Sequence, residues 1–242
     1  MGIPKHPFAV EAFFEHSLVL TFAVPKAELE ELIPDRLELD TFQDEWAFIA
    51  VAMVRCSALR PAGFPKLMGN DFFLIGYRIF VRYINKSNKR LRGLYILKSE
   101  SDSRRMELLG NLFTNYKYTT TDISETLEKD RRTIKSIKSG ISIKVSNELD
   151  AELPADSPFP SWKEARRFVG PLPFTFSYNA VEDSMLIVQG LRQNWTPEPV
   201  TVLEQEVGFL QKLNLNGVIL ASAFQVNKIP YRWKKGIVER WN

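Results

Sequence analysis

The sequence predicts a mainly β (α+β) fold, with antiparallel strands and a few short helices packed against them. Three observations carry this expectation. About ten segments read as strands and three as short helices. Strands and helices do not alternate regularly, which argues against a doubly wound parallel sheet. Loops rich in Pro, Gly and polar residues separate the segments.

The elements follow in order. Residues 17–24 (SLVLTFAV) form a short apolar strand. Pro25 then stands where a first helical turn begins, and Leu29, Leu32 and Ile33 fall at helical spacing up to Pro34-Asp35. Residues 46–59 place Phe48, Ala50, Ala52 and Val54 on one face and Ile49, Val51 and Met53 on the other. Two apolar faces suit a strand buried on both sides. Residues 60–70 carry two prolines and two glycines and read as a loop.

Residues 72–84 and 94–97 form a hairpin around a polar tip, 85–93. Ser101-Asp102-Ser103 reads as a helix N-cap region. Met106, Leu109, Leu112 and Phe113 supply the apolar stripe of a helix ending near Asn115. Residues 133–145 read as one further strand segment, its last part alternating Ile and Val with Lys and Ser. Residues 148–160 hold four acids and three prolines and read as a loop. Ser161 with Glu164 has the form of a capping box. Strands at 174–178, 184–191, 200–207 and 218–226 complete the chain. No domain break is evident, so residues 1–242 are read as one domain; the acidic loop is the nearest approach to a boundary.

Composition narrows the function. The chain has 242 residues, 45% hydrophobic and 25% charged, within the ordinary globular range. One cysteine excludes a disulfide framework and a thiolate zinc site. Two histidines leave little for histidine-based metal sites or catalysis, and no metal site is expected. The formal charge of +3 gives no global case for nucleic acid. No apolar run is long enough for a transmembrane helix, and the start lacks a signal-peptide pattern, so a cytoplasmic protein is expected. Nucleotide-cradling glycine motifs and the G-x-S-x-G elbow are absent.

Four features bear on chemistry. Basic groups occur at Lys86, Lys89, Arg90 and Arg92, at residues 131–144, and in Tyr231-Arg232-Trp233-Lys234-Lys235. Cations interleaved with aromatics can bind single strands, but solvated turns and wet strand faces are the commoner use. The 12% aromatic content can line a ligand cavity or fill a core. Lys117 follows an apolar helix and lies between Tyr116 and Tyr118. In an apolar pocket such a lysine loses its charge and can attack a carbonyl to form a Schiff base. A surface lysine at the start of a strand is the plainer alternative. Cys56, in an apolar run, reads as an inert core thiol.

Four stretches carry a family resemblance. They are residues 29–46, containing IPDRLELDTF; Tyr77-Arg78-Ile79-Phe80-Val81 with the later Arg92-Gly93-Leu94-Tyr95; the helix running into Asn115-Tyr116-Lys117; and Ile229-Pro230-Tyr231-Arg232-Trp233. In order and spacing the chain resembles, over residues 10–235, the uncharacterised domain-of-unknown-function family 2071, relatives of acetoacetate decarboxylase. The resemblance implies an antiparallel β-barrel of about ten strands with three short flanking helices and an internal pocket. It implies a small-molecule ligand, with keto acids among the candidates, no cofactor, and a homo-oligomer as in relatives of this fold.

In that enzyme a lysine after a similar helix forms the Schiff base, and Lys117 lands on its position or one residue away. Tyr118 stands where a second lysine is expected, Glu15-His16 where a substrate-orienting arginine is, and Phe73-Leu74-Ile75 where an acid is. Arg78 matches an arginine typical of the uncharacterised family, as a ligand anchor or a partner in a strand ion pair. The leading expectation is a barrel that binds a small carbonyl or carboxylate compound, with Arg78, Tyr116 and Tyr118 at the ligand. The alternative is a decarboxylase or lyase using Lys117, with Glu15 and His16 as acid–base groups near the ligand. A nucleic-acid or protein interaction module is the third.

Overall fold

The structure, a computed structural model, describes residues 6–146 and 151–241. Among them are β1 (Val10–Pro25), α1 (Ala27–Glu30), β2 (Glu38–Leu39), β3 (Trp46–Pro61), β4 (Asn70–Ile84), β5 (Arg90–Ser101), α2 (Arg104–Phe113), β6 (Tyr118–Thr120), β7 (Ser124–Glu128), β8 (Arg131–Ser136), β9 (Ile141–Ser146), α3 (Trp162–Val169), β10 (Phe174–Asn179), β11 (Ser184–Arg192), β12 (Glu198–Pro199), β13 (Thr201–Val207), α4 (Gly208–Lys212), β14 (Ile219–Trp233) and β15 (Ile237–Arg240).

The mainly β expectation holds, with corrections in detail. Strand β1 starts at Val10 rather than at residue 17, because its first half pairs fully with β14, from Val10 opposite Trp233 onward. The predicted helix at 26–33 is a single turn, α1. The segment at 133–145 is not one strand. It is the hairpin β8–β9, turned at Gly140 with φ +63°, and the apolar Ile137 is left exposed in the turn. Helix α4, directly after β13, was not anticipated. The acidic loop predicted at 148–160 falls partly outside the described residues. Both predicted caps form: the Ser103 and Ser161 hydroxyls accept from the backbone N–H groups of Met106 and Glu164, each at 3.3 Å.

Strand pairing in the larger sheet closes on itself. The order β14-β1-β3-β4-β5-β10-β11 returns to β14 through Gly190–Arg192 opposite Tyr231–Trp233. Every joint in this seven-strand circuit is antiparallel except β5–β10, which is parallel. The exception follows from the chain path, because the smaller sheet, order β13-β9-β8-β7, draws three of its strands from between β5 and β10.

The double-faced pattern of β3 is realised in packing. Ile49, Val51 and Met53 join a core that includes Ile134, Ile143 and Val145 of the smaller sheet. Phe48, Ala50, Ala52 and Val54 belong to the two cores on the opposite face. Each fully buried side chain of this size contributes about 1.5–3 kcal/mol, so a strand with two apolar faces anchors both layers.

Candidate functional site

The second face of β3 borders a cavity of about 300 Å³. It lies at the small end of ligand-pocket sizes, about 300–1,000 Å³. Ala50, Ala52 and Ser17 are short side chains on its wall, and they leave the space open. Helix α2 closes one side through Met106, Leu109 and Phe113, which confirms the stripe read from the sequence except for Leu112, which is exposed.

Of the six candidate residues, three line this cavity: Arg78, Tyr116 and Tyr118. Arg78 is held by β4. Its guanidinium lies over Gly76, two residues back on the same face, where a Cβ would come within 2.8 Å of Nη2. Arg78 has no ion-pair or hydrogen-bond partner among the described residues, so the strand ion pair considered for it does not form. Tyr118 is fixed from two sides. The Asn111 side chain donates to its carbonyl at 2.9 Å and accepts from its N–H at 2.8 Å. Its ring rests on Gly110, where a Cβ would meet it at 2.5 Å.

The Tyr116 hydroxyl is buried with no well-formed hydrogen bond; Thr175, another cavity residue, is the polar group beside it. Burial pushes both phenols well above the ordinary tyrosine range, and the Arg78 charge works in the opposite sense. Both therefore stay protonated donors at neutral pH.

The other three candidates lie elsewhere. Lys117 is exposed and is not part of the lining. Its backbone has φ +53°, and its Nζ lies 6.0 Å from the Tyr95 ring, on the face away from the cavity. The left-handed backbone at Lys117 lets Tyr116 and Tyr118 both line the cavity while the lysine between them is exposed. Glu15 is exposed and accepts from Ser57 Oγ at 2.6 Å. His16 is buried toward the smaller sheet, 2.6 Å from Glu125 and 2.8 Å from Arg132. A register shift against β3 between Phe14 and His16 resets the alternation of β1. Phe14 and Ser17 both reach the cavity as a result, and the two residues between them do not.

Glu125 is the electrostatic centre of that outer cluster. Burial alone would raise its carboxyl, but hydrogen bonds and charge from His16 and Arg132 outweigh burial and bring it to about 2.

Sequence reasoning missed several lining residues. Arg192 ends β11 and enters the cavity, donating to Leu172 O at 2.8 Å and to Tyr231 Oη at 3.1 Å. Its guanidinium lies 4.8 Å from the Trp195 ring centre and 5.3 Å from that of Tyr231. His6 also lines the cavity; burial lowers its imidazole below the ordinary 6.5, so it is neutral at pH 7. Tyr231 and Trp233 face in, and Arg232 between them faces out toward Glu11. Only the alternation of β14 separates that basic–aromatic string, and a strand-period reading of 229–233 would have found it. Four residues of the other basic groups are paired with acids: Arg90 with Glu38, Arg92 with Asp40, Arg132 with Glu125 and Lys144 with Glu204. Among the described residues the lining contains arginine but no lysine, aspartate or glutamate.

Comparison with solved structures gives the fold. Acetoacetate decarboxylase from Legionella pneumophila subsp. pneumophila str. Philadelphia 1 matches with TM-score 0.65 and 11% identity, over 96% of this chain and 88% of that one. An acetoacetate decarboxylase-like enzyme from Sphingomonas wittichii RW1 matches with TM-score 0.59 and 11% identity, over 97% and 93%. The enduracididine biosynthesis enzyme MppR, complexed with pyruvate, matches with TM-score 0.57 and 10% identity, over 96% and 90%. A comparison with curated proteins finds no match. Among the described residues no helix is long and apolar enough to cross a membrane. The family model described as an uncharacterized conserved protein matches residues 11–231, nearly the whole chain: the protein belongs to the DUF2071 family and has an acetoacetate decarboxylase-like fold.

Proposed function

We propose that this protein binds a small carboxylate or carbonyl compound in the internal cavity, with Arg78 as the anion anchor and Tyr116 and Tyr118 as hydrogen-bond donors. In this reading the seven-strand circuit is a barrel closed around the ligand. The observation that carries it is Arg78: a guanidinium at a cavity wall without an acid to pair it. A part-buried charge without a counter-ion is costly, and a ligand carboxylate would offset that cost with charge-assisted hydrogen bonds. The fold neighbour complexed with pyruvate supports the ligand class. The Schiff-base alternative needs a lysine in the cavity. Lys117 lies outside it, so binding is favoured over catalysis through that residue.

Calorimetric titration with pyruvate and butyrate tests the proposal. Saturable binding is expected, weakened at least about tenfold in Arg78→Gln, the scale of one charge-assisted contact. Absence of binding by both, or equal binding by Arg78→Gln, would overturn it.

A further inference from the structure

The lining holds three arginines that the one-anchor reading leaves unused: Arg60 is paired with Glu11, Arg105 is exposed on α2, and Arg192 is half-buried. Arg192 lines the same space as Arg78, and it too is without an acidic partner among the described residues. Its contacts are a carbonyl, a phenol oxygen and the two flanking aromatic rings, Trp195 and Tyr231. These fix the plane of the guanidinium without neutralising it. Its Nε is buried with no hydrogen-bond partner.

The strand circuit sets the relation between the two arginines. Arg78 is on β4 and Arg192 on β11. Going one way round, β4 reaches β11 through β5 and β10; going the other way, through β3, β1 and β14. No two strands of a seven-membered circuit can be further apart. The two cations therefore line one cavity from strands on opposite sides of the circuit. The same lining includes the apolar side chains of Ala50, Ala52, Leu94 and Phe224.

We infer that the ligand carries two anionic groups joined by an apolar spacer, one group on Arg78 and the other on Arg192. This rests on the anion-binding reading above and extends it to a ligand class. One carboxylate would satisfy one arginine and leave the other charge in a low-dielectric wall, whereas a dicarboxylate meets both. Specificity against monocarboxylates then comes from the unpaired guanidinium they leave behind.

The test is calorimetric titration of the full chain with matched pairs: succinate to suberate against the monocarboxylates of the same carbon number. At one spacer length the dicarboxylate is expected to bind at least about tenfold more tightly than its partner, the worth of one charged hydrogen-bonded contact. Arg192→Gln should remove that gap, whereas Arg78→Gln should weaken both classes. Arg192→Lys keeps the charge and should retain part of the gap, which separates loss of the contact from loss of folding. Equal affinity for both classes at every length, or a gap that persists in Arg192→Gln, would overturn the inference while leaving the one-anchor reading intact. No binding of either class would overturn both.

Discussion

The Arg78 guanidinium lies over the bare α-carbon of Gly76, with a would-be Cβ only 2.8 Å from Nη2 and 2.9 Å from Cζ. On a strand, residues i and i+2 share a face, so the missing side chain of one makes the seat of the other. The pairing register against β5 also shifts between Tyr77 and Arg78, a local irregularity of the kind that re-aims a side chain.

Gly76→Ala should therefore move the guanidinium without unfolding the strand, since the atom it meets is the end of a flexible side chain. Carboxylate affinity is expected to fall about tenfold to a hundredfold, the worth of about 1.5–3 kcal/mol in a charged hydrogen bond. Titration calorimetry reads it directly. Unchanged affinity would show that the seat does not set the anchor.

Ala52→Leu fills the cavity from the wall opposite the smaller sheet. Ala52 is buried, on the same β3 face as Ala50 and Val54. The added carbons enter existing space rather than packed core, so the overpacking cost of about 1–3 kcal/mol seen in full cores should not appear. Thermal midpoint is expected to hold within a few degrees while ligand binding drops at least about tenfold. A large loss of stability would mean that the wall has no room.

Lys117 gives a contrasting expectation. Incubation with pyruvate followed by borohydride should leave Lys117 unmodified by intact mass and peptide mapping, and Lys117→Ala should bind carboxylates as the parent does. An adduct on Lys117 would show that the residue reaches the cavity in solution and would restore the Schiff-base alternative.

The Glu125 cluster predicts an acid limb. Its carboxyl is depressed from 4.5 to about 2 by His16 and Arg132 against the effect of burial. A folded value below the unfolded one contributes stability that is present above pH 4.5 and is lost as pH falls toward 2. Urea unfolding across that range should steepen for the parent and flatten for Glu125→Gln. Parallel pH profiles would show that the cluster carries no linkage.

Much of the framework was legible in the sequence. Arg78 is a candidate through the family resemblance, whereas the alternation of residues 48–54, the serine caps at 103 and 161 and the stripe of α2 rest on local periodicity and local chemistry. These are properties that neighbouring residues set among themselves. The sequence reading takes 133–145 as one segment because Ile137 continues the apolar pattern across the turn, although Ser139-Gly140 carries the turn signal.

What the tertiary structure decided is which way side chains face and what meets across a distance. A register shift sends His16 to the smaller sheet, and one left-handed residue between two inward tyrosines turns Lys117 out. Arg192 and Arg78 line one cavity because the strand circuit that carries them closes, β11 pairing with both β10 and β14. Composition and spacing give a residue its chemistry and its period. The face it occupies depends on bulges, and its partners depend on strand closure, and both are settled by pairing between segments far apart in the chain.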